Sequence, residues 1–177
     1  MQARYSAAPV ALSALLAAPA FAASLGVNIE VPRLNVSEYH RPYVATWIAR
    51  ADNTVAITLS VWYDTRTKPN ANGEEGTKWL KDLRQWWRRG GRELTMPVDG
   101  VTGATKPAGK HQLSFNDGAA PLATLAPGTY KLVVEAAREE GGREVVSIPF
   151  QWPPASAQQP GAAGNHELGE VKLELKP

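Results

Sequence analysis

No cysteine occurs anywhere in this 177-residue chain. That absence excludes disulfides, iron–sulfur clusters, c-type haem attachment and thiolate zinc sites together. An excess of one charge is missing too: 19 Lys and Arg stand against 17 Asp and Glu, a formal net charge of +2. Without a strong basic balance or a long basic run, nucleic acid is set aside as a partner. After the first two dozen residues no apolar run approaches the roughly 20 residues that a spanning helix needs. The three histidines, His40, His111 and His166, are scattered with no carboxylate in ligand register, so no metal site is expected. No Ser–His–Asp order, paired acid cluster or nucleophile elbow stands out, which removes the basis for a hydrolase. The stretch from Gly103 to Lys110 fails as a phosphate-binding P-loop: five residues rather than four precede Gly109-Lys110, and His111 stands where Ser or Thr is needed.

What is present reads first as export. Arg4 supplies a positive start, residues 10–18 are apolar, and Ala20-Phe21-Ala22 is an A-x-A cleavage site. Residues 1–23 are therefore expected to be a signal peptide cleaved near Ala22, leaving the chain in the periplasm; an uncleaved anchor is the alternative. The remainder, 24–177, has the length of one domain. Residues 25–34 alternate apolar and polar as a half-buried strand does. Residues 43–49 and 55–63 are rich in β-branched and aromatic side chains around an Asp52-Asn53 turn, a hairpin signal. Residues 112–115, 129–137, 143–150 and 168–175 read as further strands, with a Pro- and Ala-rich linker over 153–166. One amphipathic helix is expected over 77–89, with Thr77 as its cap and Gly90-Gly91 as its end. Trp79, Leu80, Leu83, Trp86 and Trp87 fall on one side of it, a stripe better suited to core packing than to a cofactor platform. About seven short strands and one inserted helix make a mainly β fold, an immunoglobulin-like β-sandwich.

The 91–110 segment, rich in Gly, Pro and Thr, is expected to be an exposed loop, and it holds Asp99-Gly100-Val101-Thr102-Gly103-Ala104-Thr105. That run resembles the D-x-x-(S/T)-G-A-(T/S) acceptor site of covalent FMN carriers, among them subunits of sodium-pumping quinone reductases and the wider FMN-binding domains. The resemblance implies that a FAD:protein FMN transferase, using a divalent metal, attaches FMN to Thr105 by a phosphoester. Asp99 then stands as the leading acid, Thr102 as the inner Ser/Thr, and Gly103 and Ala104 as the small neighbours. Small residues suit a hydroxyl that must enter a foreign active site, because they remove bulk and permit unusual dihedrals. Lys106, Lys110 and His111 lie close in sequence and are candidates to balance the diester charge. The expected strand-rich fold departs from that of the usual FMN-binding domain, so the carry-over ends with Thr105 and its neighbours.

A wider set of segments, Trp62-Tyr63-Asp64, Lys78-Trp79-Leu80, Trp86-Trp87-Arg88, residues 102–111 and residues 134–139, resembles a family of predicted periplasmic proteins whose function long went unassigned. That resemblance implies association with flavin transferases and with PepSY-type membrane redox proteins, and a role as an electron carrier rather than a self-standing enzyme. The rival expectation is a non-redox immunoglobulin-like binding or assembly module of the cell envelope, in which the 99–105 run is only a turn.

Overall fold

The computed structural model describes residues 22–66 and 75–177; the expected signal segment, up to residue 21, and most of the expected 65–76 loop lie outside them. Among the described residues nine strands form two sheets. β1 (Ser24–Val31), β5 (Gly109–Asn116), β8 (Gly161–Ala163) and β9 (Glu170–Lys176) make one sheet in the order β5-β1-β9-β8. β2 (Tyr43–Ala49), β3 (Val55–Tyr63), β4 (Thr102–Ala104), β6 (Gly128–Ala137) and β7 (Arg143–Trp152) make the other, in the order β4-β3-β2-β6-β7. Neighbouring strands run antiparallel except β3 and β4, which are parallel.

The two sheets have different burial patterns, and the sequence explains why. β1 buries every second residue, Leu25, Val27, Ile29 and Val31, because only one of its faces meets the interior. Those side chains pack with Val171 and Leu173 against Ile48, Leu59, Leu132 and Ile148 of the second sheet. Each fully buried Leu or Ile there contributes about 1.5–3 kcal/mol over an exposed one. β2 and β6 instead carry near-continuous buried runs. Their sheet is covered on both faces, the condition that removes the polar alternation from a strand. On the outer face Ala45, Trp47, Val61 and Val133 meet Leu80, Leu83 and Trp86.

The expected helix over 77–89 is present but divided. A 3₁₀ helix covers Gly76–Asp82, Leu83 leaves helical geometry at ψ 68°, and α1 covers Arg84–Arg89. Thr77 makes no cap; the first N–H groups of α1 are satisfied from another element. The fully buried carboxylate of Glu135 on β6 accepts from Gln85 N at 3.0 Å and from Trp86 N at 2.8 Å. Arg143 Nη1 closes the arrangement at 2.8 Å from Glu135. Gly91 then lets the chain turn back beneath Trp86, where a Cβ would lie 2.6 Å from the indole.

Two further carboxylates join the sheets. Glu144 accepts the backbone N–H groups of Asn165, His166, Glu167 and Leu168. Burial pushes its pKa upward, but those four donors outweigh it and hold the carboxyl below the usual range. Glu167 pairs with Arg138 at 2.9 Å, both side chains being buried. The 153–166 segment, expected to be a plain linker, contains the short β8 on the edge of the first sheet.

Replacing Glu135 by Ala strands two buried N–H groups and the Arg143 partner. The expected loss is about 3 kcal/mol in urea unfolding followed by tryptophan fluorescence. Glu135→Gln, which keeps an acceptor, is expected to lose less. Equal losses for the two variants would remove the carboxylate's special role.

Candidate functional site

The acceptor-like motif is not the exposed loop the sequence suggested. Its Thr102, Gly103 and Ala104 pair in parallel with Val61, Trp62 and Tyr63, and Thr105 N donates to Tyr63 O at 3.1 Å. The reason is local. Thr102 Oγ1 accepts from Val98 N at 2.8 Å, while Thr102 N donates to Val98 O at 2.9 Å. Gly100 turns the chain at φ +70°, a conformation that favours glycine. Together these bonds aim the strand along β3. Asp99 stays exposed at the turn, its Oδ1 accepting from Gly100 N.

Strand alternation then splits the motif between two environments. Gly103 sits over Trp62, and a Cβ there would come 3.1 Å from the indole. Lys106 Nζ lies 5.8 Å from the same ring, within cation–π range, and His111 meets the ring edge-on at 5.6 Å. Ala104 and the half-buried Thr105 instead line a cavity of about 510 Å³. Lys106, Lys110 and His111 are not among its walls; Lys106 and His111 lie against Trp62 instead.

Besides Ala104 and Thr105, and Glu139 from the turn after β6, the walls come from three stretches. Tyr39, His40 and Arg41 arrive from the segment before β2, Tyr43 from its first residue, Tyr63, Asp64, Thr65 and Arg66 from the end of β3, and Gly76 and Trp79 from the 3₁₀ helix. Gly76 permits this approach: a Cβ there would lie 2.0 Å from Asp64 O. Tyr43 Oη donates to Gly76 O at 3.1 Å, and its ring lies 6.4 Å from that of Tyr63. Burial, aided by the Asp64 and Glu139 carboxylates, pushes the Tyr43 phenol up to about 12, against a lowering influence of the Asp64 backbone. Arg66 grips Asp64 through two nitrogens and holds that carboxyl below its ordinary range. A second cavity of about 210 Å³ adjoins the first and shares Arg41, Tyr43, Trp79 and Glu139 with it.

At the rim, His40 meets carboxylates from two parts of the chain. His40 Nε2 lies 3.1 Å from Glu38, and His40 Nδ1 lies 3.5 Å from Glu139. Glu38, His40 and Glu140 each bring a ligand atom within 4.8 Å of the others. Glu38 lies two residues before His40, whereas the hairpin turn after β6 delivers Glu139 and Glu140, and that sequence distance concealed the grouping. The tryptophan stripe also divides: Leu80, Leu83 and Trp86 enter the core, whereas Trp79 stands on the cavity wall. The aromatic walls Tyr39, Tyr43 and Tyr63 escaped the sequence reading, since each looks like an ordinary loop or strand residue.

These features define a two-sheet β-sandwich domain with an open cleft of aromatic and charged side chains, of both signs, beside a threonine. The chain belongs to a protein family described as predicted periplasmic protein (DUF2271), whose match covers residues 24–170. No curated protein matches the chain, and neither does any solved structure.

The Tyr43 phenol gives a test of the cleft in alkali. Its folded pKa is raised above the ordinary 10.0, so its neutral form contributes stability fully below pH 10, lost as pH rises through about 12. Titration of tyrosinate absorbance is expected to show one late-ionising group that vanishes in Tyr43→Phe. Its persistence in that variant would place the late group elsewhere.

Proposed function

We propose that this protein is a periplasmic carrier of covalently bound FMN, attached to Thr105, that relays electrons outside the cytoplasm. The observation that carries the reading is the setting of Thr105. It ends a motif of the FMN-acceptor type, it is neither locked in the packed interior nor free in solvent, and it borders a cavity of about 510 Å³ whose walls include four aromatic rings and the Arg41 and Arg66 guanidinium groups beside the Asp64 and Glu139 carboxylates. The family's periplasmic description supports the location, with the leader cleaved near Ala22.

Attachment is a phosphoryl transfer in which FAD is the co-substrate of the FAD:protein FMN transferase. The Thr105 Oγ–phosphorus bond forms and the pyrophosphate bond of FAD breaks. AMP leaves with the bonding electrons, and the hydroxyl proton passes to a base of the transferase. Ala104 is small and exposed beside the acceptor, so the hydroxyl can be approached from the cavity side. Thr102 is a poor acceptor, because its hydroxyl already serves Val98 N. When bound, the flavin supplies one- and two-electron transfer, which the protein tunes by contact and charge. A covalent link keeps the cofactor at high effective concentration without a tight site, an advantage outside the cytoplasm. A membrane redox protein of PepSY type is the proposed partner.

Coexpression with a flavin transferase followed by intact-mass measurement tests the reading. An FMN-sized increment is expected on the wild-type chain, retained in Thr102→Ala and absent in Thr105→Ala. A chain that never gains the increment would favour the non-redox module; one that keeps it without Thr105 would move the acceptor.

A further inference from the structure

We propose that the cleft beside Thr105 is a slot for a planar aromatic ring system, with Trp79 and Tyr43 as walls and Arg41 as its counter-cation. The ring taken is the isoalloxazine of a flavin. That identity rests on the covalent-carrier reading; the slot itself rests on the geometry.

Size and lining come first. A cavity of about 510 Å³ is in the usual range for small-molecule sites of roughly 300–1,000 Å³ and far exceeds the needs of an ion. Four aromatic rings converge on it from separate elements: Tyr39, Tyr43, Tyr63 and Trp79. Aromatic walls around a cleft open to water are the chemistry that takes flat π-systems by stacking.

Trp79 points the same way. Its neighbours in the helical segment, Leu80, Leu83 and Trp86, are buried in the core beneath. Trp79 is left half-buried at the cleft, where it lines both the larger cavity and the smaller. Lys78 and Lys81 lie 5.0 and 5.8 Å from its ring, on the helical segment itself. An indole placed so contributes little to the core and offers its surface to a ligand.

The cations sort themselves by partner. Arg66 is tied to Asp64. Arg41 lines both cavities, yet among the described residues it forms no ion pair or side-chain hydrogen bond. It is thus the guanidinium available to an electron-rich edge of a bound ring. A cation beside a flavin ring favours its more negative, reduced form.

Two arms test this, and they separate the slot from the attachment. In the first, riboflavin, which lacks the phosphate and cannot be attached, is titrated into the unmodified chain and its fluorescence followed. Saturable quenching is expected. Trp79→Leu should raise the dissociation constant about tenfold, the scale of one aromatic stacking partner. Trp79→Phe should recover most of the loss. Arg41→Gln, a change at an exposed side chain that cannot threaten the fold, should weaken binding, and Lys110→Ala should not. In the second arm the FMN-loaded chain is used, and flavin fluorescence in the native state is compared with that in urea. Strong native quenching is expected, partly relieved in Trp79→Leu, with a lower midpoint potential in Arg41→Gln. Riboflavin binding without any adduct would overturn the carrier and keep the slot. An adduct whose fluorescence is the same native and unfolded would overturn the slot and keep the carrier. Neither adduct nor riboflavin binding would overturn both.

Discussion

The carboxylate of Glu135 is the interaction on which the outer half of this molecule depends. It is fully buried on β6, so water cannot satisfy it, and it meets the N–H groups of Gln85 and Trp86 together with the Arg143 guanidinium. A buried charge is tolerated only when it is paired and hydrogen-bonded, and here the partners come from two separate parts of the chain, the start of α1 and the start of β7. The bond fixes where α1 begins, and hence where Trp86 inserts and how the preceding 3₁₀ helix lies across the sheet. Gly76 and Trp79 reach the cleft because that segment is pinned a turn further on.

Covering the second sheet on both faces has a related effect. Its strands cannot offer a broad polar face for binding, because one face packs on the first sheet and the other on the helical segment. Openings are left at the strand ends. There β2 begins, β3 and β4 end, and β6 turns into β7, and the cleft is assembled from those termini. Loops and strand ends held by a rigid scaffold are where binding residues concentrate. The close-packed sheet beneath gives such a site walls that keep their spacing.

Much of the architecture was legible in the residues. The period-two pattern of β1 and β9, the Asp52-Asn53 turn and the long apolar runs of β2 and β6 are local signals, and they give the strands nearly as they occur. β4 and β8 were not legible, since three residues each carry too little pattern and owe their form to a neighbouring strand. The cap of α1 was hidden for the same reason: its acceptor lies about fifty residues downstream. At the cleft, the motif that ends in Thr105 stands out in the sequence, but the environment of Thr105 does not. Tyr43, Tyr63 and Arg41 have no shared spacing, and only the folded sheet and its helical cover bring them to one cleft.

The packing of Gly103 against Trp62 bears on how the motif should be interpreted across relatives. The glycine answers a steric demand of the indole that exists whether or not any cofactor is attached. A lineage without the proposed modification would remain under pressure to keep it, as a Cβ there would require the indole to give by a few tenths of an ångström. Ala104, exposed and facing the cleft, has no such second duty. The small residues of the motif are therefore unequal as markers. Inheritance of the glycine bears on the fold, and inheritance of the terminal hydroxyl bears on the proposed attachment.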